Sequence, residues 1–193
     1  MAIGKKPCMP VLAAEDKREN SIIKTFNITS LLCAVSIAAL ATPAQAQTVL
    51  TTHRLSAAMA SEAVAAAVAS CATKGYKVTA SIIDTDGVVQ AMLRGDGASM
   101  TMPGAARDKA YTAIMLGASR GEDSSAAVAK RMGGNTSAGG LAKLPHILLL
   151  PGALVIRSGG EAIAAIGVGG APGGDLDEAC AKAGLDKIAD RLK

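Results

Sequence analysis

The sequence predicts an α/β (α+β) fold in which a mainly antiparallel, five-stranded sheet packs against helices. Two observations predict it. Segments with helical periodicity lie at the start, in the middle and at the end of the chain after residue 50, and short apolar or alternating segments lie between them. The strand-like segments form two groups whose members are separated only by short turns, and such turns join antiparallel neighbours. The expected order is helix, two strands, two helices, three strands and helix.

The first 46 residues are expected to be a leader that carries a secretory signal peptide. An apolar segment spans 28–40, and Ala44-Gln45-Ala46 supplies the small residues that signal peptidase requires, so cleavage is expected after Ala46. The apolar segment is too short to cross a bilayer, which takes about 20 apolar residues. Residues 47–193 are expected to form a single domain that is periplasmic or secreted and has no membrane span.

The composition of this domain argues against a nucleic-acid-binding protein. The leader holds five of the 20 basic and three of the 16 acidic residues, so the remainder is nearly neutral. The chain has no Trp, and its one Phe lies in the leader, whereas proteins that bind single strands stack bases on aromatic side chains. The core must be built from Ala, Val, Ile, Leu and Met, whose small side chains allow close contact between helices and sheet.

The domain is expected to begin and end with helices, each of which carries one of its two cysteines. The first helix, capped by the threonine at 51 or 52, has apolar residues at three- and four-residue steps up to about residue 72 and contains Cys71. The last helix starts at Asp175 and contains Cys180. Disulfides persist in exported proteins, but sequence cannot fix the distance between two cysteines. The pair is either a disulfide or two buried thiols.

A hairpin and a helix are expected to follow the first helix. Residues 77–82 alternate between polar and apolar side chains, as in a half-buried strand. The Asp-Thr-Asp-Gly sequence at 84–87 favours a tight turn into a second strand over 88–93. Pro103 suits the first turn of a helix, which should extend over 105–116.

The last third should add a short helix, three strands and the C-terminal helix. A helix is expected over 122–132, followed by a loop of small polar residues over 135–140. Apolar segments over 147–150, 154–157 and 162–168 are separated by Pro-Gly and Ser-Gly-Gly turns, so each is expected to be a strand.

Six short motifs in this order resemble those of the GlcG/HbpS-like haem-binding family, which also provides the C-terminal module of PduO-type corrinoid adenosyltransferases. The resemblance covers most of residues 50–190 and implies a profilin-like sandwich with helices on both faces of the sheet, a homo-oligomer, and haem as the ligand. The motifs are Ile83-Asp84-Thr85-Asp86-Gly87, Arg94-Gly95-Asp96-Gly97-Ala98, Lys109-Ala110-Tyr111-Thr112-Ala113, Pro151-Gly152-Ala153, Ile163-Ala164-Ala165-Ile166-Gly167-Val168-Gly169-Gly170 and Asp177-Glu178-Ala179-Cys180-Ala181.

Four residues are candidate ligands of a haem iron, which accepts imidazole and thioether groups. His53 and His146 are the only histidines of the chain. The resemblance favours His53, because a histidine near the first helix ligates haem in some relatives. Met100 and Met102 lie in the loop before the second helix, where they either reach the iron or pack against the porphyrin.

Three charged residues are candidate contacts of a carboxylate such as a haem propionate. Arg94 and Lys109 are cations on either side of a Gly-Asp-Gly loop, and cations pair with carboxylates. Asp96, inside that loop, either belongs to the pocket or neutralises Arg94. A cavity for the ligand is expected beside the first hairpin.

Binding is favoured over catalysis, although an enzyme is not excluded. No Cys-x-x-Cys, His-Glu-x-x-His or P-loop motif occurs, and Glu161, Asp175, Asp177 and Glu178 are expected to be solvated turn and helix-start charges. The alternative function is an oligomeric binding module, or a weak enzyme, for a small organic acid or a corrinoid-related ligand.

Overall fold

A computed structural model describes residues 51–193, so the expected leader and its cleavage site lie outside the described residues. The centre of the described part is an antiparallel sheet with the strand order β2-β1-β4-β3. The first and last hairpins are joined through the pairing of β1 with β4, which makes these two strands central and buried. The strands are β1 (Thr79–Asp84), β2 (Val89–Arg94), β3 (Ala153–Ser158) and β4 (Glu161–Gly169).

The predicted mixed fold is confirmed, but the sheet has four strands and not five. Residues 147–150 form no strand, because their backbone groups bond elsewhere. The N–H of Leu148 donates to Thr112 Oγ1 at 2.8 Å, and the N–H of Leu150 donates to the carbonyl of Leu148 at 2.8 Å. A short apolar run does not by itself distinguish a strand from another buried segment.

Helices cover both faces of the sheet. The helices α1 (Ala57–Ala72) and α5 (Gly174–Ile188) pack on one face, and α2 (Met102–Thr112) packs on the other. Two shorter helices, α3 (Ser125–Met132) and α4 (Ala138–Leu141), follow α2 in the chain. Among residues 51–193, no helix combines the length and the apolar character needed to cross a membrane.

Two predicted helix starts are wrong, because serines nearer the helices provide the caps. Ser56 Oγ accepts a hydrogen bond from the N–H of Met59 at 3.3 Å, so α1 begins five or six residues after the predicted threonine caps. Consequently His53 precedes the helix and is not part of its first turn. Ser124 caps α3 in the same way, through the N–H of Ala127 at 3.1 Å. Pro103 lies in the first turn of α2, as expected.

A disulfide joins Cys71 of α1 to Cys180 of α5, with a Cα–Cα distance of 5.6 Å. The two helices lie side by side because small residues let their backbones approach each other. A Cβ atom at Gly184 would lie 2.6 Å from the carbonyl oxygen of Ala63. Gly167 of β4 allows the same close approach on the other face, where α2 lies against it. The small-residue core expected from the composition is therefore confirmed.

Candidate functional site

A cleft of about 360 Å³ opens at one end of the sheet. It lies where β4 ends and β3 begins, whereas the turns of both hairpins are at the opposite end. The cavity was expected beside the first hairpin, and the cleft lies at the open end of that hairpin, where β1 begins and β2 ends. The cleft is walled by α2, by the segments 148–151 and 169–174, and by the first turn of α5; its side chains include Met102, Ala105, Lys109, Leu148, Leu150 and Asp177.

A buried ion pair forms the base of the cleft. Lys109 Nζ lies 2.6 Å from Asp177 Oδ2, and the two side chains are only 6% and 4% exposed. Lys109 Nζ also donates to the carbonyl of Val168 at 3.2 Å, and Asp177 Oδ1 accepts from the N–H of Ala171 at 2.9 Å. Two charges can remain in such a dry place because each is paired and hydrogen-bonded. An ammonium has three N–H donors, so these two bonds leave one N–H of Lys109 without an acceptor among the described residues.

Asp177 corrects the expectation that the acids at the start of the last helix are solvated. It lies in the first turn of α5, where a negative charge complements the helix dipole. The Gly- and Pro-containing segment 169–174 folds over this turn and buries the carboxylate against Lys109. The pair therefore links the two helices that lie on opposite faces of the sheet.

Glu178, the next residue of α5, is also not a plain surface charge. Its Oε2 atom is buried and finds no hydrogen-bond partner among the described residues. Burial raises the pKa of this carboxyl above its ordinary value of 4.5, and a hydrogen bond from Gly152 partly offsets the shift. Because Gly152 follows Pro151 in the cleft wall, Glu178 supports that wall from behind.

This raised pKa predicts a pH-dependent effect of Glu178→Gln. The pKa of this carboxyl is higher in the folded protein than in the unfolded chain. Its contribution therefore lowers the free energy of unfolding progressively as pH rises from about 4.5 to the raised pKa. The stability of the glutamine variant relative to the wild type should therefore increase over that interval, by less than about 1 kcal/mol because the group is partly solvated. Urea unfolding across the interval measures this difference.

Glu62→Gln is the matched control for this experiment. A hydrogen bond from Arg191 lowers the pKa of Glu62, so stability contributed by that carboxylate is lost as pH falls. The glutamine variant at 62 should lose relative stability as pH rises, which is the opposite trend. Parallel pH profiles for wild type and Glu178→Gln would contradict the role given to Glu178.

The predicted site residues are only partly brought together. Met102 and Lys109 share the cleft. Asp96 lines a separate hollow of about 290 Å³ on the side of α1. Arg94 Nε donates a hydrogen bond to the carbonyl of Ala98 at 2.8 Å. Its guanidinium therefore stabilises the loop that follows β2 and does not pair with Asp96. Met100 is 85% exposed in the loop before α2.

The two histidines lie in different surroundings. His146 packs against α2, with its Nδ1 3.2 Å from Asp108 Oδ1 and its ring edge-on to Tyr111 at a centroid distance of 5.6 Å. His53 Nδ1 lies 2.6 Å from Oε2 of Glu161, the first residue of β4. Glu161 is at the hairpin-turn end of a nine-residue strand, about 25 Å from the cleft end at the rise of a strand. Within one chain, one haem cannot contact both His53 and the cleft.

Several residues of the cleft escaped sequence reasoning. The sequence predicts that Asp177 is a solvated charge and that 147–150 is a strand, and it makes no prediction for the segment 169–174. The glycines and prolines that precede a helix at 169–174 signal a loop, but a loop of this composition is only weak evidence for a site. The contact of Lys109 with Asp177 joins residues 68 positions apart, and no local pattern indicates such a pair.

Comparisons with known proteins show which family this chain belongs to. Residues 55–186 match the profile of a family described as haem degrading protein HbpS-like. A double mutant of HbpS from Streptomyces reticuli is similar in structure, with 33% sequence identity, a TM-score of 0.65, and coverage of 76% of this chain and 96% of that one. No match was found among curated proteins.

Two more distant structures share the fold. Protein ORFY of Klebsiella pneumoniae has a TM-score of 0.66 at 20% identity, covering 75% of this chain and 97% of that one. A PduOC–haem complex has a TM-score of 0.62 at 20% identity, covering 70% of this chain and 96% of that one. Together with the family match over most of the described residues, these findings confirm the resemblance inferred from the motifs: the chain belongs to the HbpS-like family.

Proposed function

We propose that this protein is an exported haem-binding protein that holds haem for storage, transport or sensing. The observation that carries the proposal is the cleft at the sheet end, which combines an apolar wall with a buried cation. The family is described as haem degrading, and one structure of the same fold is a haem complex. Ligand sites of this kind are concave and mostly apolar, with a few polar groups that fix orientation.

The residues present fit a haem. Met102, Leu148 and Leu150 offer apolar contacts for the porphyrin. Lys109 supports a propionate through its remaining N–H donor, because a hydrogen bond between charged groups is stronger than a neutral one. Bound haem would supply iron whose chemistry is set by its axial ligands and by the polarity of the pocket. Arg94 and Asp96 lie outside the cleft, which leaves Lys109 as the cation best placed for a propionate.

The test is a haem titration of the purified protein followed by Soret absorbance. Leu150 is 50% exposed at the cleft, so Leu150→Glu should fold normally while placing a charge where the porphyrin and its propionates would lie. We expect haem affinity to fall at least about tenfold, which corresponds to 1.4 kcal/mol. Ala65→Glu is the matched control, because Ala65 lies on the exposed side of α1, outside the cleft and away from the β2 edge.

Two results would contradict the proposal. The first is a wild-type protein that gives no Soret shift at micromolar concentration. The second is equal haem affinity in the Leu150→Glu and Ala65→Glu variants. A thermal-shift series with hydroxy acids and corrinoids belongs to the same experiment: stabilisation by a small acid without any by haem would make that acid the ligand of the Lys109 cleft.

Export is proposed from the apolar segment and the small-x-small sequence before residue 47. The disulfide between α1 and α5 supports it, because disulfides persist in oxidising compartments. Mass spectrometry of the protein from the periplasm or medium should show a chain that begins at Gln47. A protein recovered only from the cytoplasm with the leader attached would contradict export.

A homo-oligomer is proposed from the open edge of the sheet. The strand β2 lies at this edge and exposes Val89, Met92 and Leu93, with Val88 in the preceding turn. An apolar edge strand with unpaired backbone groups is prone to pair with another chain, and the apolar side chains on both faces of β2 favour a second copy. Light scattering should show an assembly that Leu93→Lys weakens. Leu144→Lys, at an exposed leucine elsewhere, should leave it unchanged, and a monomeric wild type would contradict the assembly.

A further inference from the structure

We propose that His146 is the axial ligand of the haem iron and that Asp108 holds its imidazole in position. The inference rests on the proposed haem-binding function and deepens it. It is carried by the placement of His146 against α2, on the flank of the helix that forms one wall of the cleft.

The hydrogen bond of His146 leaves the correct nitrogen for a metal. Its Nδ1 faces Asp108 Oδ1 at 3.2 Å, so Nε2 is free to coordinate. Metal-bound histidines commonly bond their other ring nitrogen to a carboxylate, which fixes the tautomer and increases the basicity of the ligand. Asp108 is itself fixed, because Arg107 Nε donates to the same oxygen at 2.8 Å. The edge of Tyr111 limits rotation of the ring.

The backbone at His146 is held in an unusual conformation. His146 has φ of 65°, and it is the only non-glycine residue with positive φ between residues 51 and 193. Two residues later, the N–H of Leu148 is bonded to Thr112 Oγ1 on the same helix. Residues kept in this region of φ/ψ space are concentrated at ligand sites, where the surrounding structure maintains them. Because Leu148 lines the cleft, this backbone holds His146 two residues from the cleft wall.

The surroundings distinguish His146 from His53. The neighbours of His53 are charged: Glu161 binds its ring, and the adjacent Arg54 pairs with Asp86 at 2.5 Å. A porphyrin placed there would remove water from these charges, which costs free energy. His146 also has a charged pair beside it, Asp108 with Arg107, but leucines flank it in the chain, with Leu144 and Leu150 exposed and Leu148 in the cleft wall. Apolar surface that is covered by a porphyrin stabilises the complex.

The experiment compares His146→Gly with His53→Ala in the purified protein loaded with haem. Glycine suits positive φ, so His146→Gly removes the imidazole without straining the backbone. We expect this variant to lose the nitrogen-ligand signature in electron paramagnetic resonance and resonance Raman spectra and to bind haem at least tenfold more weakly. Added imidazole should restore the signature. Asp108→Asn should keep the ligand but raise the haem reduction potential, because the imidazole becomes less basic.

The possible results separate the two proposals. If His146→Gly keeps the nitrogen signature, the assignment of His146 is overturned although haem binding stands. Loss of the signature in His53→Ala would then make His53 the ligand. A wild-type spectrum with no nitrogen ligand overturns it as well. If the wild type binds no haem at all, the proposed function fails, and the assignment fails with it.

Discussion

Replacing Asp177 by alanine should lower the free energy of unfolding by about 3–5 kcal/mol, the cost of leaving one charge of a buried pair without its partner. The reason is the position of Lys109, which is 6% exposed and lies 2.6 Å from the carboxylate. The substitution also leaves the N–H of Ala171 without its acceptor. Urea unfolding at neutral pH measures the loss.

A double variant distinguishes loss of the pair from loss of packing. Lys109→Met combined with Asp177→Asn removes both charges, keeps similar volumes and retains an acceptor for Ala171. It should recover most of the stability, because uncharged groups of the same shape often replace a buried pair at little cost. Asp186→Ala breaks an exposed pair with Lys182 on the same helix and should cost less than about 1 kcal/mol. Equal losses for Asp177→Ala and Asp186→Ala would contradict the buried role.

Reduction of the Cys71–Cys180 disulfide should destabilise the protein by about 2–5 kcal/mol. The two cysteines are 109 residues apart, and a bond that closes a long loop restricts the unfolded chain strongly. For a domain of this size the loss corresponds to a fall in Tm of roughly 5–15 °C. Calorimetry with and without a thiol reductant measures it.

The double variant Cys71→Ala, Cys180→Ala is the control for the reductant. Both sulfurs lie in the core between α1 and α5, and alanine fits a helix, so the variant should fold with a lowered Tm. That Tm should not respond to reductant, whereas the Tm of the wild type should. Thiols at Cys71 and Cys180 that react with an alkylating reagent in the unfolded wild type, before any reductant is added, would contradict the bond.

The fold was largely predictable because its signals are local. Apolar residues at helical spacing marked α1 and α5, the Asp-Thr-Asp-Gly turn placed the first hairpin, and Pro103 marked the start of α2. The errors are local as well. Residues 147–150 resemble a strand in composition, but their backbone bonds to Thr112 on α2. Ser56 caps α1 in preference to the predicted threonines because it is adjacent to the first helical turn.

The candidate site was predictable only in part. Met102 and Lys109 were identified as members of a pocket, and the structure places both in the cleft. His53 was favoured as an iron ligand, yet it lies beside Glu161 at the other end of the sheet. No local pattern marks Asp108, which contacts the ring of His146. Nothing in a single sequence indicates which polar residues of distant segments will meet.

The family, the alternation of helices and strands, and a core of small apolar residues follow from sequence alone, because each depends on neighbours within a few positions of the chain. The bond between the cysteines, the burial of Asp177 with Lys109, and the position of the cleft away from the hairpin turns are visible in the folded molecule and not in the sequence. These features depend on how helices from distant parts of the chain pack on the two faces of one sheet. Packing of that kind sets the distances between side chains, whereas sequence spacing does not.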